Sequence, residues 1–167
     1  MRYQTKIIAT FNCSLERAFK TPMLCDISKV HTGYGFSPRV THCTEDENWG
    51  KVGGSKKVFM LKNNFFKGGE GATDTVIERI ENKYWKIRVD QLRSFSMGIE
   101  AFEGEWATSE NADGTVKVIY TYNVISKNIL LSPLHWLFTK LFWRIYIKYV
   151  LENVRKLAYA NEPYLYA

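Results

Sequence analysis

The sequence predicts an α+β fold in which one long C-terminal helix packs against an antiparallel sheet. The first observation is the stretch from Leu131 to Ala158, which has apolar residues at helical spacing and no glycine or proline after Pro133. The second is a series of short alternating segments between residues 39 and 125, separated by turn residues. Consecutive strands joined by short turns pair antiparallel, and such a sheet must bury one face. The long helix is the only large apolar partner for that face.

The N-terminal part of the chain predicts one strand followed by two short helices. Ser14 is a favourable N-cap residue for the first helix, and Thr21 followed by Pro22 repeats this start signal for the second. Gly33 and Gly35 end the second helix. The predicted ranges are 3–11 for the strand, 15–20 for the first helix and 21–33 for the second.

Six further strands are predicted at 39–44, 56–62, 72–80, 84–92, 99–108 and 116–125, with a turn over 94–98. Side chains alternate between the two faces of a strand, so every second residue faces the helix. The residues expected to face inward on two of these strands are Trp85, Ile87, Val89, Val118, Tyr120 and Tyr122. Those expected to face outward are Lys86, Arg88, Asp90, Lys117, Thr121 and Asn123.

The long helix is predicted over 132–158, with Ser132 as cap and Pro133 at its first position. At about 100° per residue it has two apolar faces. The full-length face consists of Trp136, Trp143, Ile147, Val150, Val154 and Leu157. The shorter second face consists of Leu134, Phe138, Leu141, Phe142, Ile145 and Tyr149.

Only one side of a helix can meet the sheet, so the second face needs another cover. Three covers remain open: the protein's own loops and short helices, a homodimer, or peripheral contact with a membrane surface. The residues proposed for a dimer or membrane contact are Leu134, Phe138, Leu141, Phe142 and Ile145. A ridge of Lys140, Arg144 and Lys148 borders this face, as it would at a dimer rim or on an anionic membrane.

The net charge and the cysteine content limit the kinds of partner and cofactor that we expect. The net charge is +6, which favours either simple solubility or attraction to an anionic surface. The basic residues are scattered and no nucleic-acid motif is present, so no nucleic-acid partner is expected. Cys13, Cys25 and Cys43 have no metal-ligand spacing, and no apolar signal segment opens the chain. We therefore expect free thiols, no metal or cofactor, and a cytoplasmic location.

Three segments and the element order together resemble a known fold. The segments are Ser14-Leu15-Glu16-Arg17-Ala18-Phe19, Trp49-Gly50-Lys51-Val52-Gly53, and Asp113-Gly114-Thr115-Val116 leading into Tyr120-Thr121-Tyr122. Over nearly the whole chain they resemble the helix-grip fold of the START-related (SRPBCC) superfamily, and within it the polyketide cyclase/dehydrase and lipid-transport group. The resemblance implies one domain over residues 1–167, with a curved seven-stranded antiparallel sheet around the long helix. It also implies an apolar cavity between them.

One carboxylate is a candidate acid–base group. Glu100 shares a strand face with Phe102, Gly104 and Trp106, and this aromatic face is expected to point inward. Burial in a cavity would raise the pKa of Glu100 and suit it to acid–base work. Gly104 leaves this assignment open, because a glycine in mid-strand can mark a bulge that reverses the alternation.

The resemblance implies binding or transport of a small hydrophobic ligand, such as a lipid, a polyketide or an isoprenoid-like molecule. Two alternatives remain: a cyclase/dehydratase- or hydrolase-type enzyme that uses cavity acid–base groups, and a protein-interaction module that uses the second helix face. The residues expected to contact a ligand are Trp85, Glu100, Phe102, Trp106, Tyr120, Tyr122, Trp143, Ile147 and Val150.

Overall fold

A computed structural model describes residues 1–93 and 98–166. The strands are β1 (Arg2–Phe11), β2 (Val40–Glu45), β3 (Ser55–Met60), β4 (Gly69–Ile80), β5 (Tyr84–Asp90), β6 (Ile99–Glu110) and β7 (Val116–Ser126). They form one antiparallel sheet in the order β1-β7-β6-β5-β4-β3-β2. The predicted seven-stranded sheet is therefore confirmed. The turn predicted over 94–98 lies outside the described residues except for Gly98.

Two short helices, α1 (Leu15–Leu24) and α2 (Ile27–Val30), follow β1 as predicted. The C-terminal helix consists of a 3₁₀ turn (Ile129–Leu131), α3 (Ser132–Phe138), a π turn (Thr139–Trp143) and α4 (Arg144–Tyr159). No helix in the described part of the chain is long and apolar enough to cross a membrane. The core lies between the inner face of the sheet, α1 and α4, and includes Trp85, Trp106, Val118 and Leu151.

The helix boundary predicted at Pro22 is wrong, because α1 continues through this proline to Leu24. Proline has no N–H, so the carbonyl of Ala18, one turn earlier, loses its helical donor. The indole Nε1 of Trp106 donates to this carbonyl at 3.0 Å. The helix continues because a side chain from β6 replaces the missing backbone bond. Asp26, rather than Thr21, caps the second helix by accepting from the N–H of Ser28.

Two further indoles bind α1 in the same manner. Trp85 Nε1 donates to the carbonyl of Phe19 at 3.3 Å, and Trp49 Nε1 donates to that of Met23 at 3.1 Å. The rings of Trp85 and Trp106 are stacked, with centroids 5.9 Å apart and planes 4° from parallel. Neighbouring strands and the loop before β3 thus hold α1 across the inner side of the sheet.

The C-terminal helix does not keep one phase along its length. Its π turn contains an extra residue, so the faces on either side of it are not related by the ordinary α-helical period. Trp136, predicted on the buried face, is 53% exposed, whereas His135 and Thr139 are fully buried in its place. Beyond the π turn the predicted face is correct, since Ile147 and Val154 are buried.

The protein's own loops cover part of the second helix face. The ring of Phe36, between α2 and β2, stacks on Phe142 with centroids 3.8 Å apart and lies 6.1 Å from Phe138. Four members of this face remain open to solvent, with Leu134, Leu141, Ile145 and Tyr149 at 42%, 58%, 50% and 39% exposure. Intramolecular cover therefore accounts for Phe138 and Phe142, covers Tyr149 in part through Tyr34, and leaves the aliphatic residues uncovered.

We predict that Trp106 and Pro22 are energetically coupled. Trp106→Phe removes the donor to Ala18 and leaves a buried carbonyl unpaired, which costs about 1–3 kcal/mol in addition to lost packing. Pro22→Ala restores a backbone N–H for the same carbonyl. Trp106→Phe should therefore destabilise the Pro22→Ala protein by about 1 kcal/mol less than the parent, measured by urea unfolding of all four proteins.

Trp85→Phe is the matched control for this cycle. It removes the indole that bonds to Phe19, whose helical donor at Met23 is not a proline. Trp85→Phe should lower the free energy of unfolding by the same amount whether residue 22 is proline or alanine. Equal costs of Trp106→Phe in both backgrounds would show that the indole does not substitute for the missing N–H.

Candidate functional site

A cavity lies between the inner face of the sheet and the C-terminal helix. It has two chambers of about 130 and 140 Å³. The inner chamber is bounded by β2 to β7, α1, α2, the π turn and α4, and the outer chamber by β3, β4, β6, α3, the π turn and the loops before β2, after β3 and after β5. Residues common to both chambers are Ser37, Pro38, Met60, Leu92, Phe102 and Trp143, so the two spaces adjoin.

Most of the residues predicted at the site lie together around the inner chamber. Its boundary includes Trp85, Phe102, Trp106, Tyr120, Tyr122, Trp143 and Val150. Ile147 lies instead in the core, with 1% exposure, and is not among the residues that border either chamber. The inward phase of β5, β6 and β7 accounts for the five members on the sheet, and Trp143 and Val150 come from the C-terminal helix.

The prediction that Glu100 faces the interior is wrong. The register of β6 shifts between Ile99 and Ala101, so Glu100 occupies a bulge. Its Oε1 lies 3.4 Å from Arg88 Nη2 and 3.4 Å from Lys127 Nζ. Glu100 therefore belongs to the ion pairs on the outer face of the sheet.

Gly104, which had suggested a bulge, stays in regular register opposite Ile87 and Tyr122. A Cβ at this position would lie only 2.9 Å from Cε2 of Tyr122. The glycine therefore leaves room for the tyrosine ring on the inner face rather than bending the strand.

The carboxylate that does line the cavity is Asp74 on β4, which sequence reasoning missed. Asp74 is 5% exposed, and Nζ of the equally buried Lys56 lies 3.9 Å from its Oδ2. Burial raises the pKa of Asp74 to about 6, although the charge of Lys56 acts to lower it. The alternation along β4 could have identified Asp74 as an inward residue, since Ala72 and Val76 flank it on the same buried face.

A neutral pair borders the same chamber. Nδ1 of His31 lies 2.6 Å from the hydroxyl of Tyr146. Burial lowers the pKa of His31 to about 4, and the charge of Lys56 acts in the same direction. Burial also raises the pKa of Tyr146 to about 12. At neutral pH neither member carries a charge, so the pair contributes hydrogen-bonding groups rather than an ion.

Tyr120 and Tyr122 supply unpaired hydroxyls. Burial raises the pKa of both phenols far above the ordinary value, so both remain protonated donors. Within residues 1–93 and 98–166, neither hydroxyl has a hydrogen-bond partner. Nε1 of Trp143 is also buried without a partner in the described part of the chain. A buried donor left unpaired costs about 1–3 kcal/mol, so an acceptor in the cavity would be stabilised.

Metal and thiol chemistry find little support in the described residues. No group of three or more His, Cys, Asp or Glu side chains is placed there to hold a metal ion. The cysteines Cys13, Cys25 and Cys43 are free thiols. Burial raises the pKa of all three, and that of Cys43 reaches about 12. Protonated thiols are poor nucleophiles.

Comparison with known structures agrees with this architecture. A crystal structure of Ara h 8.0201 superposes with a TM-score of 0.68 at 14% sequence identity, over 96% of this chain and 100% of that chain. A protein of unknown function, SA2116 from Staphylococcus aureus, superposes with a TM-score of 0.73 at 11% identity, over 96% of each chain. No family model and no curated protein matches the sequence. These superpositions show that the chain has a helix-grip fold.

We predict that Asp74 makes the folded protein less stable as pH rises. The pKa of an unfolded aspartate is about 3.9, and burial raises that of Asp74 to about 6. The folded state therefore binds more protons between these values, so the free energy of unfolding falls as pH rises from about 4 to 6. The free energy of unfolding of Asp74→Asn, relative to that of the parent, should therefore rise by up to about 3 kcal/mol as the pH rises across this window. Urea unfolding at a series of pH values measures this difference.

Asp113→Asn is the control, because Asp113 is exposed and its pKa is lowered by hydrogen bonds from Thr115. That variant should show almost no trend relative to the parent between about pH 4 and 6, because the folded and unfolded pKa values of Asp113 both lie below this window. Any constant cost of leaving Lys56 without its acid cancels when only the trend with pH is compared. A stability difference between Asp74→Asn and the parent that does not change with pH would contradict the assignment.

Proposed function

We propose that the protein binds or carries a small hydrophobic ligand, such as a lipid, a polyketide or an isoprenoid-like molecule, in the cavity. The observation that carries this proposal is a mainly apolar chamber in which the hydroxyls of Tyr120 and Tyr122 have no partner among the described residues. Burial of apolar ligand surface contributes about 25 cal/mol per Å². A few polar groups then fix the orientation of the ligand.

The chamber volumes indicate the size of the ligand. An apolar protein cavity of about 150 Å³ holds one benzene molecule. The two chambers, at about 130 and 140 Å³, therefore each suit about one six-membered ring. Because they adjoin, a ligand of about two rings, or a chain of similar volume, fits without rearrangement.

The polar groups of the inner chamber indicate the chemistry of the ligand's polar head group. The free tyrosine hydroxyls are donors, so the ligand should present an acceptor. Asp74, Tyr120, Tyr122 and Tyr146 all border the inner chamber. An ionised Asp74 would repel a carboxylate ligand at neutral pH. A ketone or a hydroxyl is favoured, since either accepts from a tyrosine and a hydroxyl can also donate to Asp74.

An acid–base enzyme is the second candidate, and one observation favours it. Asp74 lies at the cavity with a pKa of about 6, near the range in which a carboxyl can both give and take a proton. In the enzyme hypothesis Asp74 takes the role first assigned to Glu100. Asp74→Asn would then abolish turnover of a ligand that it still binds, whereas a carrier would show no turnover to lose.

We predict that the tyrosine hydroxyls select ligands with a polar head. Naphthalene and 2-acetonaphthone are suitable two-ring probes, because they differ by one acceptor group. Tyr120→Phe and Tyr122→Phe should each weaken binding of the ketone about 3- to 10-fold, as expected for one lost hydrogen bond. Neither variant should change binding of the hydrocarbon. Calorimetry measures both affinities.

Tyr149→Phe is the matched control, because that hydroxyl accepts from Thr32 outside the cavity. Thermal melting should show that all three variants remain folded. Equal ketone affinity in the parent and both cavity variants would count against recognition by the hydroxyls. If the parent binds neither probe, and mass spectrometry of organic extracts finds no co-purified ligand, the carrier proposal fails.

A further inference from the structure

An apolar row remains exposed along the C-terminal helix beside Phe138 and Phe142, which Phe36 covers. It consists of Leu130, Leu134, Leu137, Leu141 and Ile145, with exposures of 86%, 42%, 47%, 58% and 50%. Trp136 lies beside the row and is 53% exposed. Soluble monomers rarely leave an apolar patch of this kind open unless it meets a partner.

The charge around the row is of one sign. From residue 127 to residue 151 the chain has no acidic residue, and its basic residues are Lys127, Lys140, Arg144 and Lys148. The last three have no acidic partner in the described part of the chain. In a two-fold dimer the row would meet its own copy, which would bring these cations together. An anionic surface is the complementary partner.

The row adjoins an aromatic group that borders the outer chamber. Phe36 contacts Phe138 on the helix and Phe65 in the loop after β3, with centroids 6.1 and 6.2 Å apart. All three rings border the outer chamber. Phe65 is 60% exposed and Leu61, in the same loop, is 55% exposed. We call the rim formed by Phe36 and Phe65 the mouth of the outer chamber, and Phe138, which follows Leu137 in the helix, joins this rim to the row.

We propose that this surface docks on an anionic lipid bilayer, with the mouth of the outer chamber turned toward the lipid. The leucine row enters the boundary between headgroups and acyl chains, and Trp136 lies at the interface, where indoles are favoured. Lys140, Arg144 and Lys148 contact anionic headgroups. This docking requires only the outer surface and does not depend on which ligand occupies the cavity.

Vesicle co-sedimentation tests the proposal. The parent protein should bind phosphatidylcholine vesicles that contain phosphatidylserine, should bind pure phosphatidylcholine more weakly, and should be released as salt screens the charges. The double variant Leu137→Glu with Leu141→Glu should lose at least about ten-fold in binding. Arg144→Gln with Lys148→Gln should lose about 20- to 30-fold, at about five-fold for each cation.

Matched controls separate docking from general surface effects. Val52→Glu with Leu165→Glu changes two side chains of 62% and 57% exposure that lie away from the row, and should reduce binding far less than the row variant. Lys51→Gln with Lys117→Gln should likewise have little effect. Every variant should retain the parent's melting temperature and its affinity for naphthalene, so failure of docking is distinguishable from failure of the cavity proposal.

Three outcomes would overturn the proposal. The first is a parent protein that does not bind anionic vesicles at low salt. The second is equal binding by the row variant and its control. The third is light scattering that shows a dimer, dissolved by Leu137→Glu with Leu141→Glu, in a protein that does not bind vesicles. That last result would assign the row to self-association.

Discussion

The cavity depends on how α1 is held against the sheet, and three indole N–H groups hold it. Trp106 replaces the backbone donor that Pro22 lacks, and Trp85 and Trp49 bond to carbonyls on the same helix. The rings of Trp85 and Trp106 also border the inner chamber. The same side chains therefore position a helix with their polar edges and form the cavity boundary with their apolar surface, so the shape of the cavity is coupled to the docking of α1.

Acidic residues on the two faces of the sheet have different electrostatic environments. On the outer face Glu103 lies between Arg2, Lys86 and Arg88, and despite its burial these cations lower its pKa. On the inner face Asp74 has one cation at 3.9 Å, and desolvation outweighs it. Ion pairing thus makes the outer acids structural. The inner acid keeps the unsatisfied bonding capacity that a ligand or a proton could use.

Local patterns predicted the strands, their order and most of the cavity residues, because period and turn chemistry are local properties. The errors came from interactions between distant parts of the chain. The indole of Trp106 let α1 continue past Pro22, a bulge turned Glu100 outward, and a π turn exposed Trp136. None of these is visible in a short window of sequence. Asp74 was accessible to the period argument and was overlooked, because an acid on an apolar strand face is uncommon.

Phe138 joins the exposed leucine row to the cavity mouth, and energetics connect these two features. An apolar ligand that passes through water loses about 0.8 kcal/mol for each exposed CH₂ group. A mouth seated on lipid avoids that cost, because the ligand leaves one apolar medium and enters another. The aromatic rings between row and mouth, from Phe138 through Phe36 to Phe65, would then form a continuous apolar path. On this argument an exposed row that is costly for a soluble monomer becomes useful once the cavity has a hydrophobic ligand to exchange.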